Sequence, residues 1–269
     1  RRYCTDMKII VCMKQVPDTT EVRLDPVTGT LIRDGVPSII NPDDKAGIEA
    51  ALRIKEQIPG STVTVVSMGL PQVDVALREA MAMGCDDAVL LTDRKLGGAD
   101  TWATSSSIAG ALKKMEYDLI ICGRQAIDGD TAQVGPQIAE HLGIPQVSYV
   151  EEIQEITDRY MVVKRQFEDR YQVVEVAFPC LITTLSELND PRYMSVGGVF
   201  DAYQKEVRVM SYADIADVVD ESNIGLKGSP TRVKQSFTKQ AKGKGELHEV
   251  SADEAVKLIV EKLAAKYII

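Results

Sequence analysis

Between Tyr117 and Ile138 the chain reads YDLIICGRQAIDGDTAQVGPQI, and this stretch restricts the fold more than any other. Leu119 to Cys122 are apolar without alternation, which suits a strand covered on both faces of a parallel sheet. Gly123 ends the run. A polar loop follows from Arg124 to Asp130, with Gly129 giving it backbone freedom. A helical pattern then sets Val134, Ile138 and Leu142 on one side, with Thr131 or Asp130 as the expected cap. A strand, a glycine-bearing loop and a helix start together present free backbone N–H groups and the positive end of a helix dipole, the arrangement that holds a phosphate. The side chains divide. Arg124 adds positive charge, whereas Asp128 and Asp130 repel phosphate unless they turn away or act as caps. Phosphate binding is therefore assigned to the backbone amides of Asp130 to Val134. No Walker or dinucleotide glycine fingerprint is present, so by spacing alone an ordinary strand-to-helix loop is the competing reading.

In chain order, Met7 to Met13 form a first buried strand, after an expected short leader over Arg1 to Asp6. Residues 14–35 run through turn signals, including Asp25-Pro26 and Thr28-Gly29, as a hairpin or extended arm. Asn41-Pro42-Asp43-Asp44 is a helix start with Asn as cap, Pro at the first position and acids in the first turn. Thr62 to Ser67 and Ala88 to Leu91 read as further buried strands. Helical stripes separate them at Val73, Ala76, Leu77 and Ala80, and follow at Trp102, Ser105, Ala109 and Leu112. Alternating strands and helices imply an α/β fold, a doubly wound, mostly parallel sheet with ligands at the carboxyl ends of its strands. Those ends carry Cys12-Met13-Lys14, Met68-Gly69 and Gly123-Arg124, which converge with Asn41 to Asp44 on one pocket suited to a nucleotide.

Three strands are then expected at Tyr160 to Gln166, Tyr171 to Ala177 and Cys180 to Leu185, with alternation typical of antiparallel pairing, extending the sheet. Ser186 to Val207 has no clear period, and its Tyr193, Met194, Val196, Val199 and Phe200 either pack back or meet a partner. Tyr212 to Val219 is a short helical pattern, and Asn223 to Glu246 is a linker by composition. Ser251 and Glu254 form a capping box before a helix striped by Val256, Ile259, Val260, Leu263 and Tyr267. That stripe must be buried, on this body or on another subunit. The resulting organisation is a leader (1–6), a nucleotide-binding α/β domain (7–185), a loop with a short helix (186–228) and a C-terminal arm (229–269).

Composition excludes several classes. The formal net charge of −9 at pH 7 disfavours nucleic acid and anionic membrane surfaces as partners. No span is long and apolar enough to suggest membrane insertion. Five cysteines without a CxxC pair point to reduced thiols in a cytoplasmic setting, and two histidines, His141 and His248, cannot build a metal site.

VCMKQVPD at Val11 to Asp18, NPDD at Asn41 to Asp44, CGRQAIDGDTAQVGP at Cys122 to Pro136 and LNDPRYMSV at Leu188 to Val196 together resemble the β subunit of electron transfer flavoproteins. The resemblance runs from Met7 to Ile269. It implies a heterodimer with an α subunit and an adenine nucleotide in this chain. Cys12, Asn41, Pro42, Asp43 and Asp44 would line adenine and ribose, with Met68 at a neighbouring wall. Gly123, Arg124, Gln125, Ala126, Ile127, Asp128, Gly129, Asp130, Thr131, Ala132, Gln133, Val134 and Gly135 would form the phosphate loop and helix start. It further implies that the arm wraps onto the α subunit. Leu188 to Gln204 would be a docking loop for acyl-CoA dehydrogenases, with Tyr193 and Val196 as contacts. Arg165 matches a family arginine near the flavin region and would tune a flavin; an arginine on a surface strand is the equal alternative. No residue of the chain is required as a catalytic acid, base or nucleophile.

NPDD in place of an aromatic-bearing NPF pattern, AIDGDTAQVGP in the loop and the absence of a lysine run are similar to β subunits of anaerobic bacteria. The resemblance therefore favours FAD over structural AMP in the pocket. It implies electron bifurcation: NADH as donor, ferredoxin or flavodoxin as one acceptor, and an acyl-CoA dehydrogenase such as a butyryl-CoA dehydrogenase as the other, through FAD on the α subunit. The alternatives are a simple carrier subunit holding AMP, and a non-redox adenine-nucleotide sensor, against which the docking loop and arm both speak.

Overall fold

The computed structural model describes residues 6–18, 37–232, 234, 243 and 245–269. Cys4, almost all of the leader, the turns expected near Asp25 and Thr28, and part of the lysine-rich linker lie outside them. The elements are β1 (Lys8–Cys12), β2 (Gln15–Pro17), β3 (Ser38–Ile40), α1 (Pro42–Gln57), β4 (Thr62–Met68), α2 (Asp74–Met83), β5 (Asp87–Leu91), α3 (Thr101–Leu112) and β6 (Leu119–Gly123). These are followed by α4 (Val134–Leu142), β7 (Gln146–Ile156), β8 (Tyr160–Gln166), β9 (Tyr171–Ala177), β10 (Cys180–Thr184), α5 (Val196–Gln204), β11 (Arg208–Met210), α6 (Tyr212–Ile215) and α7 (Ala252–Ala264). β2 and β3 pair antiparallel, the base of the expected hairpin.

The main sheet has the order β11-β5-β4-β1-β6-β10-β7-β8-β9. From β1 the chain winds outward through β4 and β5, then returns to the other side of β1 with β6, so the direction reverses between β1 and β6. All pairs from β11 to β7 are parallel. The unbroken apolar runs read as buried strands are explained by the two helical layers. Ile9, Val11, Val65, Leu119 and Ile121 face a core shared with α1 and α2. The alternate residues Ile10, Cys12, Val66, Ile120 and Cys122 face a second core with Ile108 and Leu112 of α3 and Ile138 of α4. Each such aliphatic side chain gains about 1.5–3 kcal/mol on burial, so both layers are held by the same strands.

Three expectations need correction. Cys180–Thr184 is not antiparallel; it inserts between β6 and β7 and is parallel to both. Its five buried residues have the all-buried pattern of an interior strand. A strand absent from the reading, β7, precedes β8. It pairs with β10 through Gln146, Val147 and Val150 and with β8 from Val150 to Ile156, changing partners at a bulge. Tyr149, at φ +62°, sits there with its N–H donated to Thr183 Oγ1 at 3.0 Å. Acidic residues at Glu151, Glu152 and Glu155 disguised this strand. Finally, the stretch without a period contains α5. Ser195 caps it by accepting the Gly198 N–H at 2.9 Å, and Arg78 of α2 donates to the Ala202 carbonyl at 2.7 Å, so packing overrides the two glycines.

The expected capping box at Ser251 and Glu254 is present. Val256, Ile259 and Val260 of α7 are exposed, as are Tyr193, Met194, Val196, Phe200 and Tyr203 around α5. Ser229 is instead buried; its hydroxyl accepts the Asp100 N–H at 2.9 Å and donates to the Gly225 carbonyl at 2.8 Å.

Candidate functional site

At the point of reversal the carboxyl ends of β1 and β6 leave a cleft of about 400 Å³. Its floor is Cys12 and Cys122, cross-strand neighbours in register. The Cys122 thiol, hydrogen-bonded to Cys12 and buried, is held well above the ordinary thiol range, so it acts as an apolar wall. Met13, Lys14, Asp44 and Met68 line the cleft, as do the loop residues Gly123 to Ala126, Gly129 and Thr131 to Gly135. A second hollow of about 320 Å³ lies between α1 and the outer half of β7, among Arg53, Gln57, Glu151 and Glu155. It is away from the strand ends where open α/β sheets bind ligands, so the cleft at the reversal is the candidate site.

The loop between β6 and α4 is fixed from behind. Asn41, fully buried, occupies the cap position of α1 but makes no cap bond. Its amide donates to the Gln125 carbonyl at 2.8 Å and its Oδ1 accepts the Ile127 N–H at 3.0 Å, so the residue read as a cap is a clamp on the loop. Lys14 Nζ pairs with Asp128 at 2.6 Å, and the Gln125 amide donates to Asp130 at 3.0 Å. Asp128 is thus charge-paired and largely covered, while Asp130 stays exposed with its carboxylate held by Gln125, outside the cleft lining.

The backbone of the loop differs from expectation in one useful way. Asp130 (φ +48°) and Ala132 (φ +52°) adopt the left-handed conformation, while Gly129 does not. This delays the helix to Val134, with Gln133 at the cap position and no side-chain cap, so neither Thr131 nor Asp130 caps it. The Asp130 N–H is used internally, bonding to the Ala126 carbonyl at 2.9 Å. Among the described residues no acceptor takes the N–H groups of Thr131, Ala132, Gln133, Val134 and Gly135. The run of free amides thus begins one position later than the Asp130 to Val134 run assigned from the sequence. Strained residues held beside unused donors at a helix N-terminus are the signature of an anion site. Gly135 lets the first turn of α4 pack closely on β10: a Cβ there would lie 2.7 Å from Thr183 Cγ2.

Asp44 ties this site together, its two oxygens accepting the N–H groups of Lys14 and Gly123, each at 2.8 Å. Burial pushes its carboxyl up to about 7 against those bonds. A folded-state value above the ordinary 3.8 means that the contribution of this group to stability is fully present below about pH 4 and is lost as pH rises through about 7. The same ionisation puts negative charge beside the anion site. Affinity for a nucleotide phosphate is expected to fall about three- to tenfold more in the wild type than in Asp44→Asn between pH 6 and 8. Calorimetric titration at both values checks this, and identical profiles would reject a titrating Asp44.

Of the other sequence-selected residues, Asp43 faces away from the cleft; its Oδ1 accepts the Ser186 N–H at 3.1 Å, and Arg124 Nε lies 3.3 Å from Oδ2. Pro42 opens α1, and Ile127 and Asp128 support the loop from outside the cleft lining. Arg165, on β8, is not brought to the cleft; it lies over the Phe167 ring, and its buried Nε has no hydrogen-bond partner. Tyr193 and Val196 lie on a separate exposed surface. Sequence reasoning missed the opposite wall, Ala99, Asp100, Thr101, Thr104 and Ile108 at the start of α3. Thr101 Oγ1 donates to Gln133 Oε1 at 2.8 Å, joining the two helix starts across the cleft. The signal was available: Asp100 is the cap of α3, the helix that follows β5, and accepts the Ala103 N–H at 3.0 Å.

Fold and site define a doubly wound α/β protein with a cleft at its switch point, floored by buried cysteines and bordered by free amides at a helix start. Comparison with known proteins narrows this. The electron transfer flavoprotein domain matches residues 28–215. The electron transfer flavoprotein subunit beta of Clostridium acetobutylicum is 58% identical, covering 98% of this chain and 100% of its own length. The caffeyl-CoA reductase-Etf complex subunit CarD of Acetobacterium woodii is 54% identical, and the acryloyl-CoA reductase electron transfer subunit gamma of Anaerotignum propionicum 47%, each over 98% of this chain and all of the relative. The chain belongs to the electron transfer flavoprotein family, among its β subunits. Among the described residues no helix is long and apolar enough to cross a membrane.

Proposed function

We propose that this chain holds FAD in the cleft and works with its α subunit as a bifurcating electron transfer flavoprotein in the cytoplasm. The complex would oxidise NADH and divide its two electrons between ferredoxin or flavodoxin and, through FAD on the α subunit, an acyl-CoA dehydrogenase such as a butyryl-CoA dehydrogenase. The observation that carries the cofactor reading is the run of unused amides from Thr131 to Gly135. When bound, FAD supplies hydride acceptance and single-electron transfer; the protein supplies position and electrostatics. The free amides would take its pyrophosphate and Cys12, Cys122 and Met68 would wall the adenine, while Asn41 and the Lys14–Asp128 pair hold the loop in place. Arg165, with its unpaired Nε and outside the cleft, would stabilise a reduced, anionic flavin held by the α subunit. The relatives named for caffeyl-CoA and acryloyl-CoA reductases support an acyl-CoA-linked partner, and the exposed Tyr193 and Val196 would meet it. We take the α-subunit arm to begin beyond Arg232, because Ser229 and Thr231 are bound to Asp100.

Extraction of the co-expressed heterodimer, purified with FAD supplied, tests the cofactor reading. Two FAD per heterodimer and NADH-driven ferredoxin reduction are expected. One FAD with one AMP would leave the chain a structural subunit of a simple carrier.

A further inference from the structure

The segment leading into the exposed Tyr193 is fastened along one face of α1, the helix whose first turn borders the cleft. Asp43 accepts the Ser186 N–H at 3.1 Å, and the Ala46 carbonyl accepts from the Asn189 amide at 2.9 Å. Glu49, buried to 3% exposure, binds Arg192 three times: Nε to Oε2 at 2.8 Å, Nη2 to Oε1 at 3.2 Å, and the backbone N–H to Oε2 at 3.1 Å. Arg192 Nη1 reaches Glu56 at 2.5 Å, and Arg53 Nε completes Glu49 at 2.7 Å. Positions 43, 46, 49, 53 and 56 follow the three- and four-residue spacing of one helix face. Burial alone would raise the Glu49 carboxyl, but the hydrogen bonds from Arg192 and Arg53 outweigh it and hold it below its ordinary range. One residue after this clamp the chain is open: Tyr193 is 97% exposed and Val196 79%. A three-bond clamp on a buried acid, placed directly before a bare apolar segment, is more than a loop connecting two elements requires.

We propose that Arg192 is a positioning residue that, through Glu49 of α1, sets the height and angle at which Tyr193 and Val196 are presented to the dehydrogenase. This rests on the reading of Tyr193 and Val196 as docking contacts. Arg192 touches no cofactor and carries no electron. Its planar fork fixes both direction and distance at Glu49, which a lysine, with one point charge on a flexible stem, does not. Without the clamp the segment must be ordered by the partner at the moment of docking, so partner affinity drops while the chemistry of the assembled complex is unchanged.

The experiment uses the complete heterodimer and the acyl-CoA dehydrogenase that the wild type reduces, varying dehydrogenase concentration. Arg192→Ala and Glu49→Gln are each expected to raise the KM for dehydrogenase about tenfold with kcat within about twofold of wild type, and Arg192→Lys to fall between. Flavin content should be unchanged, and chymotryptic cleavage after Tyr193 should accelerate in the same order, a readout that needs no partner. Val196→Asp serves as the docking control. If Val196→Asp raises KM but Arg192→Ala and Glu49→Gln alter neither KM nor cleavage, the positioning role is overturned while the docking reading stands. If Val196→Asp leaves turnover normal, the docking reading fails and the positioning role with it. A fall in kcat and flavin content at constant KM would reduce the clamp to general structural support.

Discussion

A chain ended at Arg232 is expected to lose stable association with its α subunit while still binding nucleotide. α7 has thirteen residues, a length at which an isolated helix in water is marginal even with a capping box. Its stripe of Val256, Ile259 and Val260 is exposed, with Tyr267 beyond it. If burial of each contributes about 1.5–3 kcal/mol, the arm provides several kilocalories of association and its loss shifts the dissociation constant by orders of magnitude. The cut leaves Ser229 and Thr231 on Asp100, so the α3 wall of the cleft keeps its cap. Size-exclusion chromatography after co-expression, with AMP titration of the truncated chain, separates the two effects. Stoichiometric co-purification of the truncated chain with the α subunit would remove the arm from the interface.

Gly123→Ala is expected to destabilise the fold and empty the cleft together. A Cβ there would lie 2.2 Å from Asp44 Oδ1, 2.7 Å from Asp44 N and 2.9 Å from Asp43 C. The side-chain oxygen can rotate away, but the backbone of α1 cannot without leaving the sheet. Moving Asp44 also strips acceptors from the Lys14 and Gly123 amides. Overpacking and the lost hydrogen bonds together cost about 3 kcal/mol. Thermal unfolding and extracted nucleotide measure both consequences. Gly129→Ala is the contrast, because its Cβ would meet nothing within 4 Å, and both readouts should stay near wild type. Equal behaviour of the two variants would show that the Gly123 contact is not what shapes the site.

The parts of the site readable from sequence were those set by local chemistry. A solid apolar run followed by Gly123 gave the strand, and the NPDD and CGRQAIDGDTAQVGP segments gave the family by resemblance. The parts that were misread depend on neighbours far along the chain. Asn41 looks like a cap because asparagine before proline usually is one; it becomes a clamp because residues 84 to 86 positions away supply the Gln125 carbonyl and the Ile127 amide. Gly129 looked like the flexible point, yet the left-handed turns fall on Asp130 and Ala132, where the fixed ends of the loop leave no other path.

By itself, the sequence determined the alternation of strand and helix, the doubly wound class, the family and the strand end that bears the loop, because hydrophobic period and turn chemistry act within a few residues. Tertiary structure alone decided that Cys180–Thr184 is an interior parallel strand, that β7 divides its length between two partners, and that α3 closes the cleft. It also decided that Arg192 is held by Glu49. Pairing partners, register and ion pairs between distant residues are chosen by the energy of the assembled sheet and its two cores, and a short stretch of chain contains no record of what will be packed against it.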